Sequence, residues 1–374
     1  MAAGVYLHIP FCRSRCSYCD FATDIYRDAD IVAAYVDAVC REVDNFTTPG
    51  IEADTIYFGG GTPSLLRADQ VAAIIGSVRG KFAVSDDAEI TLEMNPGTVT
   101  PEVLAGFREV GVDRASFGVQ TFDDRDLKLL ARGHDSADSL ATFRMLRDAG
   151  FDNVSFDLIA GLPGQSFEQW QRNLDAALSL SPEHLSLYLL ELHAGTPLEQ
   201  QVAAGRRPAI DEDLAAAMYT FMLDRLAEAG YEQYEISNFS KAGFESRHNI
   251  KYWRMDPVYG FGVSAHSFDG RRRYANERVT DKYLDLCRNG SPIVEDRTLT
   301  DDELAGEFIF LNLRLTRGLS IGEYRDRFGR DVLDEHKAAI DDLTTDGLIV
   351  LDEGHIRLTR RGMLYSNNVF SAFI

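Results

Sequence analysis

The feature that most constrains the fold is a regular alternation of short apolar runs and amphipathic helical stretches over the first half of the chain. Runs rich in β-branched and aromatic residues recur at residues 5–9, 54–58, 89–93, 114–118, 153–157 and 184–188. Helical patterns separate them at 30–46, 67–79, 101–110, 136–149 and 166–179. Strands that alternate with crossover helices become parallel neighbours in one sheet. The alternation therefore predicts an α/β fold of six βα units.

The absence of a clear seventh or eighth unit favours a partial (β/α)6 barrel. In a parallel barrel the loops that follow the strands share one face, and binding sites are built there. Each predicted strand is followed by a loop that carries Gly, Pro, Asn or charged residues. We expect the functional site at this carboxyl edge of the strands.

The rest of the chain follows a different pattern. A helix at 211–229 precedes an irregular segment, 231–276, that is rich in aromatic residues, Gly and Asn. Helices near 300–313, 320–328 and 331–346, two short strands in LIVLDEGHIRLT and a last helix resemble a winged-helix arrangement. The predicted domains are a partial barrel at 1–230, a connecting segment at 231–297 and a smaller, mostly helical C-terminal domain at 298–374.

Charge and composition narrow the classes of partner. The net charge of −21 repels phosphate backbones, so nucleic acid is a poor default partner, and the winged domain is expected to cover substrate or dock a protein. No apolar run reaches the roughly 20 residues that span a bilayer. The start, MAAGVYLHIPF, has no basic region before an apolar stretch. We expect a cytoplasmic protein.

Three of the five cysteines lie within eight positions, as Cys12-x3-Cys16-x2-Cys19. An odd number of cysteines in a reducing compartment does not indicate a disulfide framework. Zinc prefers four closed ligands in separated pairs; His8 as a fourth ligand keeps zinc as an alternative. Three thiolates on one loop suit a [4Fe–4S] cluster with one open iron, which can chelate the amino and carboxylate groups of S-adenosylmethionine. The remaining cysteines, Cys40 and Cys287, lie in helical patterns and are expected to be structural.

This spacing directly after a first strand resembles the radical-SAM superfamily, whose partial (β/α)6 barrel agrees with the six units. In that superfamily one electron from the cluster cleaves a sulfur–carbon bond of S-adenosylmethionine. The resemblance implies that Cys12, Cys16 and Cys19 hold the cluster. Polar and glycine residues at or beyond the strand ends would form the S-adenosylmethionine region, although any one of them alone could be a loop hydrogen bond or a helix cap: Tyr6, Tyr18, Gly60, Gly61, Thr62, Glu93, Gln120, Arg132 and Asp157.

Within the superfamily the whole chain resembles the oxygen-independent coproporphyrinogen III oxidase group. The segments YLHIPFCRSRCSYCDF, GGGTP, FGVQ and DLIAGLPGQ carry this likeness. The decarboxylating enzyme of that group usually has a fourth cysteine two residues after the third, where this chain has Phe21. It also has an extension before the motif, which here begins almost at once. Both departures point to the other kind of protein in the group, the heme chaperones.

A second motif agrees with the chaperones. His248, Asn249, Tyr252 and Trp253 form an HNxxYW pattern that resembles their signature. A histidine can ligate heme iron, and aromatic rings can pack on a porphyrin face. The alternative is a segment with core aromatics and a solvated histidine. His266 is a second heme candidate, and Arg271 to Arg273 could meet the propionates or form a solvated turn.

The sequence therefore predicts a heme chaperone that binds a [4Fe–4S] cluster, S-adenosylmethionine and heme, and passes heme to an acceptor protein. The cluster is expected to serve redox control, folding or dimerisation more than turnover, and no catalytic residue is predicted. The expected partners are an electron donor such as flavodoxin or ferredoxin and an acceptor, with a membrane protein among the candidates; the chain itself would be a monomer or homodimer. The alternatives are the oxidase, which converts two propionates to vinyls, another radical-SAM reaction on a tetrapyrrole, and a DNA-binding regulator.

Overall fold

The computed structural model describes residues 2–26 and 28–373. The strands are β1 (Ala3–Ile9), β2 (Phe11–Cys12), β3 (Asp24–Ile25), β4 (Ile51–Gly60), β5 (Phe82–Met94), β6 (Arg114–Gln120), β7 (Asn153–Ala160), β8 (His184–Leu189), β9 (Glu232–Glu235), β10 (Asn238–Ser240), β11 (Val258–Phe261), β12 (His266–Phe268), β13 (Arg272–Asn276), β14 (Ile293–Thr298), β15 (Leu319–Ser320), β16 (Ile349–Asp352) and β17 (His355–Leu358).

The α-helices are α1 (Ala29–Asp44), α2 (Ala68–Lys81), α3 (Pro101–Glu109), α4 (Asp124–Leu129), α5 (Ser136–Asp148), α6 (Phe167–Leu180), α7 (Pro197–Ala203), α8 (Glu212–Glu228), α9 (Arg247–Arg254), α10 (Thr280–Asn289), α11 (Asp301–Arg314), α12 (Ile321–Phe328), α13 (Val332–Glu335), α14 (Lys337–Thr345), α15 (Arg360–Leu364) and α16 (Ser366–Ser371). Within the described ranges, no helix is long and apolar enough to cross a membrane.

The six predicted strands form the centre of one twelve-stranded sheet. Its order is β14-β13-β12-β11-β1-β4-β5-β6-β7-β8-β10-β9, and β1 and β4 to β8 run parallel to their neighbours. The intervening helices cross over to return the chain to the start of each strand. The sheet ends in different strands, β14 and β9, which are not paired with each other among the described residues. The prediction of an α/β fold with an open, partial barrel is confirmed.

The sequence analysis expected an irregular segment at 231–276, but the structure forms regular strands there and continues them to residue 298. This segment adds β9 and β10 antiparallel beside β8, and it adds β11 parallel to β1 at the other side of the barrel strands. Its aromatic residues, Phe239, Tyr259 and Phe261 among them, belong to the main hydrophobic core. The strands are only three to six residues long, and β11 pairs with β1 at the other end of the chain, so local periodicity does not reveal them.

The C-terminal domain packs helices α11 to α14 with a three-stranded sheet, in the order β15-β17-β16. This is the expected arrangement of helices and hairpin, except that the predicted last helix is divided into α15 and α16 around Tyr365. The core of this domain also contains Ile236, Met255 and Phe268 from the preceding segment. The two parts of the chain therefore share an apolar interface.

Candidate functional site

A cavity of about 640 Å³ lies at the carboxyl edge of the parallel strands. Its wall brings together most of the residues that the sequence analysis singled out for the cluster and S-adenosylmethionine: Cys12, Cys16, Cys19, Tyr18, Gly60, Gly61, Glu93, Gln120, Arg132 and Asp157. These residues are distant in sequence but follow consecutive strands, so the parallel topology gathers them at one edge.

The loop of the three cysteines is held on both sides. It leaves the sheet at Pro10, and β2 pairs in parallel with β3 to close its base. At its tip the Ser17 N–H donates to Leu130 O at 3.0 Å, and Ser17 Oγ donates to Leu129 O at 2.9 Å. These bonds hold a loop of otherwise exposed residues against the segment that follows α4.

The donor set fits an iron–sulfur cluster. All three thiols line the same cavity, and each cysteine is partly accessible. Within the described ranges, no three His, Cys, Asp or Glu side chains meet closely enough to hold a single metal ion. A cubane cluster spreads its thiolate ligands over different irons and so takes them further apart. Burial raises the pKa of the Cys12 thiol, and a hydrogen bond from Thr62 opposes that rise.

A chain of hydrogen bonds joins two of the cysteines. Thr62 Oγ1 donates to Cys12 Sγ at 3.5 Å and accepts from Asn95 Nδ2 at 2.7 Å. Asn95 Oδ1 in turn accepts from Arg132 Nη2, and Arg132 Nη1 donates to Cys16 Sγ at 3.4 Å. Asn95 was missed by the sequence analysis, although it follows β5 directly and so carries the same signal as Glu93.

The glycine loop after β4 requires residues without side chains. A Cβ on Gly61 would lie 2.6 Å from the Pro10 carbonyl carbon, and one on Gly60 would lie 2.6 Å from the His8 ring. Gly60 also has a φ of +110°, a conformation that L side chains rarely adopt. The loop therefore packs directly on the end of β1, where its backbone is open to a ligand.

Glu93 is fixed by two donors at the cavity floor. Its Oε1 accepts from Tyr57 OH at 2.8 Å, and its Oε2 accepts from the Gly60 N–H at 3.1 Å. Burial raises the pKa of Glu93 to about 7, although these hydrogen bonds oppose the rise. Such a carboxyl can accept from an ammonium group of a ligand, or donate one proton, near neutral pH.

Gln120 ends β6 in a left-handed backbone conformation, with a φ of 65°. Non-glycine residues in this region cost on the order of 1 kcal/mol, and such strain concentrates at binding sites. A Cβ on Gly118 would lie 2.6 Å from Gln120 Nε2. The glycine thus makes room for the turned amide, which faces the cavity.

Asp157 lies near a buried cation that the sequence analysis missed. Burial raises the pKa of Asp157, while a hydrogen bond from Ser186 and the Arg114 guanidinium oppose the rise. Arg114 is 1% exposed at the start of β6, and its Nε and Nη1 atoms have no hydrogen-bond partner in the part of the chain that the structure describes. Its charge offsets part of the cost of the carboxyls buried in the barrel.

Two residues of the predicted S-adenosylmethionine region lie behind the cavity wall. Thr62 reaches the site through Cys12, as described above. The Tyr6 hydroxyl is 3.1 Å from His8 Nδ1, and its ring stacks on Tyr57 with centroids 6.1 Å apart. Tyr6 therefore supports the cavity through neighbours; Tyr18, by contrast, lines it and accepts from Arg132.

The HNxxYW segment, the predicted heme candidate, lies at the end of the barrel opposite the cavity. In the part of the chain that the structure describes, His248, Asn249, Tyr252 and Trp253 do not line the cavity. Helix α9 instead covers the amino-terminal end of the strands, where a Cβ on Gly4 would lie 3.0 Å from His248 Cε1. We call α9 the barrel plug.

His248 has the environment of a core histidine. Its Nδ1 is 2.8 Å from Thr55 Oγ1, and its Nε2 is 3.2 Å from Tyr252 OH. Burial lowers the pKa of His248 to about 3, so the imidazole is neutral. With both nitrogens engaged, this arrangement offers no nitrogen to iron. Trp253 stacks under Arg314, whose guanidinium carbon is 4.3 Å from the ring centroid.

The secondary heme candidates also lie elsewhere. Each of the three consecutive arginines has an acidic partner: Arg271 pairs with Asp301, Arg272 with Asp296 and Arg273 with Glu307. Arg271 lies in the bend before β13, and Arg272 and Arg273 begin that strand. His266 is exposed on β12 and is not part of the cavity wall.

The outer part of the cavity is wide and partly apolar. Phe21 and Tyr188 are 62% and 42% exposed there, and Met363 and Leu364 of the C-terminal domain form the facing wall. His193, in the loop after β8, also lines this part. The sequence analysis missed His193, whose signal is its position five residues beyond the sixth predicted strand.

Comparison with known families agrees with this architecture. Residues 6–177 match the model of the Radical SAM superfamily, and residues 299–365 match that of the HemN C-terminal domain. The solved structure of coproporphyrinogen III oxidase (HemN) from Escherichia coli, described as a radical SAM enzyme, superposes with a TM-score of 0.87 at 24% identity. The superposition covers 100% of this chain and 90% of that chain. That likeness shows the fold.

Curated relatives match along the full length. The heme chaperone HemW of Bacillus subtilis (strain 168) is 36% identical over 375 residues, which cover 99% of each chain. The heme chaperone HemW of Escherichia coli (strain K12) is 31% identical, covering 99% of this chain and 98% of its own. The mitochondrial radical S-adenosyl methionine domain-containing protein 1 of Bos taurus is 34% identical, covering 96% and 85%.

Proposed function

The chain belongs to the heme chaperone HemW family of the radical SAM superfamily, and from this we propose that it binds heme at the outer part of the cavity and passes it to an acceptor protein. The observation that carries the proposal is one cavity with two unlike halves. The cluster thiols and polar strand ends line one part, which we call the inner half; the outer half combines exposed Phe21 and Tyr188 and the apolar Met363 and Leu364 with polar residues.

The inner half suits the cofactors of the superfamily. Cys12, Cys16 and Cys19 would hold the [4Fe–4S] cluster, and Gly60, Gly61, Glu93, Gln120 and Asp157 would contact S-adenosylmethionine. When bound, this pair supplies one-electron chemistry. The chain's own residues place donors and acceptors around it: Arg132 donates to Cys16 Sγ, and Glu93 and Asp157 present carboxyl oxygens.

The outer half suits a flat, amphipathic ligand. Ligand cavities are predominantly apolar with a few placed polar groups. Phe21 replaces the fourth cysteine of the decarboxylating enzyme and presents an exposed ring at the cavity mouth. An exposed aromatic ring there costs free energy in water unless something covers it, and a porphyrin face can do so.

The proposed partners follow from the role of a carrier. An acceptor must approach the mouth of the cavity, since heme would leave there. A membrane-bound hemoprotein of the cytoplasmic face is within the proposal, as is an electron donor such as flavodoxin or ferredoxin that reduces the cluster. The cluster would then control heme loading or release rather than turnover.

The first test is anaerobic and uses the protein with its cluster reconstituted. Reductant, S-adenosylmethionine and coproporphyrinogen III are added, and vinyl product and 5′-deoxyadenosine are measured together. In a parallel sample heme is titrated, and its transfer to an apo-hemoprotein is followed by absorption. We expect stoichiometric heme binding and transfer without vinyl product.

Decarboxylated product at multiple turnovers would contradict the proposal and make the protein an oxygen-independent coproporphyrinogen III oxidase. A second arm tests the role of the cluster. Cluster-free protein that loads and delivers heme as well as the holo form would contradict redox control of loading, while leaving heme carriage intact.

A further inference from the structure

We propose that His193 ligates the heme iron through Nε2, at the mouth of the cavity, with Asp20 orienting the imidazole. The inference rests on the proposed function, because it concerns heme in the same cavity. The inference goes beyond the proposed function because it assigns the iron a ligand on the loop after β8, rather than on the barrel plug.

The positions of the eight histidines leave one candidate for a heme ligand. Three histidines in the barrel have both ring nitrogens within hydrogen-bond distance of a partner: His8, His184 and His248. Four others lie away from the cavity wall: His134, His266, His336 and His355. Among the described residues, His193 is thus the histidine that combines an accessible ring with a place on the cavity wall.

The neighbouring carboxylate of Asp20 indicates which nitrogen of His193 is available. Its Nδ1 lies 3.5 Å from Asp20 Oδ2, which leaves Nε2 as the nitrogen for a metal. Metal-binding histidines usually donate their other N–H to a carboxylate, which fixes the ring and raises its basicity. Both side chains are about half exposed, so a ligand can reach the pair from solvent.

The backbone around the pair makes the position reproducible. Helix α7, which begins four residues after His193, packs on the cysteine loop, where the Leu198 N–H donates to Ser17 O at 2.8 Å. His193 O accepts from Thr196 Oγ1 at 2.8 Å, which closes a turn just before α7. His193 therefore lies on a tied loop, beside the segment that carries Phe21.

The surroundings match the rest of a heme. Phe21 and Tyr188 offer aromatic faces, and Met363 and Leu364 offer an apolar wall. Arg15 lies on the same cavity wall with an exposed side chain, so it can meet a propionate at the rim. An imidazole ligand, apolar faces and a cation near the propionates are contacts that suit heme.

The test compares His193→Ala, Asp20→Asn and two matched histidine variants, His248→Ala and His266→Ala, all with reconstituted cluster. Ferric heme is titrated into each, and the Soret absorption, the electron paramagnetic resonance spectrum and the affinity are recorded. We expect His193→Ala to weaken heme binding at least about 10-fold and to change both spectra, with free imidazole restoring them. Asp20→Asn should weaken binding about 10-fold and leave the ligand in place.

The outcomes separate this inference from the proposed function. Heme binding by the unaltered protein with the same spectra and affinity in His193→Ala would overturn the inference and leave the chaperone role standing. Spectral change in His248→Ala instead would return the ligand to the HNxxYW segment. Failure of the unaltered protein to bind heme would overturn both. Unchanged cluster absorbance in His193→Ala shows that a loss of heme binding is not a loss of fold.

Discussion

At the scale of residues, the side chains around the cysteines are connected to one another by hydrogen bonds. Arg132 reaches four acceptors at once: Cys16 Sγ, Tyr18 OH, Asn95 Oδ1 and Gly118 O. A planar guanidinium can serve them because its five N–H groups have fixed directions, which an ammonium group lacks. The Arg132 side chain therefore couples the cysteine loop to the ends of β5 and β6.

We predict that Arg132→Lys keeps the charge but shortens the lifetime of the cluster in air by about tenfold. Loss of one hydrogen bond to a charged group costs about 1.5–3 kcal/mol, which is at least that factor. The measurement is the decay of cluster absorbance after exposure to air. Arg144→Lys, an exposed change on α5, is the matched control. Equal decay of the two variants would contradict the role of the guanidinium network.

The sequence indicated the polar strand ends of the site as a class but not every member. Glu93 and Asp157 could be predicted because each ends a recognisable strand. Asn95 and His193 follow strands too, but Asn before Pro and a His in a Gly-containing loop are also ordinary turn residues. Arg114 could not be predicted, since its position at a strand start, away from the expected site, gave no sign of burial.

At the scale of elements, the buried Glu42 carboxyl connects helix α1 to the loop after β11, to β13 and to α10. Glu42 of α1 accepts from the Gly262 N–H at 2.9 Å, from Asn276 Nδ2 and from Tyr283 OH of α10. Burial raises the pKa of Glu42 to about 7, although these hydrogen bonds oppose the rise. The folded protein therefore retains a proton that the unfolded chain loses from about pH 4.5 upward.

We predict that this group makes the free energy of unfolding fall by about 1–3 kcal/mol between about pH 5 and about pH 8. The raised folded-state pKa has this sign: the stabilisation is complete below the unfolded pKa and is lost as the pH rises through about 7. Glu42→Gln is neutral at every pH and should lack this part of the slope. Urea unfolding at both pH values measures it, with the exposed Glu109→Gln as control. Parallel slopes in Glu42→Gln and the unaltered protein would exclude Glu42 as the source.

The barrel plug gives a second prediction at this scale. His248→Ala removes a fully buried ring and leaves Thr55 without its partner, so we expect a loss of about 2–4 kcal/mol in the free energy of unfolding. His266→Ala, at an exposed position, should change it by less than about 0.5 kcal/mol. Urea unfolding of both variants is the measurement. A variant at position 248 as stable as the unaltered protein would show that the histidine is not a packing residue.

At the scale of the whole molecule, Arg314 links the two parts of the chain. Its guanidinium covers Trp253 of the barrel plug, and Nη2 is 3.4 Å from Glu235 Oε2. The Glu235 side chain is fully buried and depends on this cation, on Asn238 and on the Ser237 N–H for its partners. A buried carboxylate that loses its cation is strongly destabilising.

We therefore predict that Arg314→Ala lowers the free energy of unfolding by about 3 kcal/mol while unfolding remains a single transition. The shared core of Ile236, Met255 and Phe268 with the C-terminal helices is the reason for one transition. Tryptophan fluorescence and circular dichroism in urea measure both properties. Arg330→Ala, whose partner Asp302 is exposed, is the control and should cost less than about 1 kcal/mol. Two separate transitions would show that the domains fold independently.

The fold of the whole molecule could be predicted from the sequence where the contacting elements are close together in the chain. The six βα units could be placed because each crossover packs neighbouring strands, and strand and helix periods differ clearly. Strand β11 could not, because it pairs with β1 across some 250 residues of chain and is four residues long. The opposite placement of the HNxxYW motif follows from that pairing, since α9 immediately precedes β11.

The barrel plug has a consequence for traffic through the molecule. Because α9 covers the amino-terminal end of the strands, we expect every ligand of the cavity to enter and leave at the carboxyl edge. The ligand that binds deepest must then bind first and be released last. A heme bound across the mouth of the cavity would prevent S-adenosylmethionine behind it from dissociating. Delivery of the cargo would then be the event that frees the cofactor to exchange.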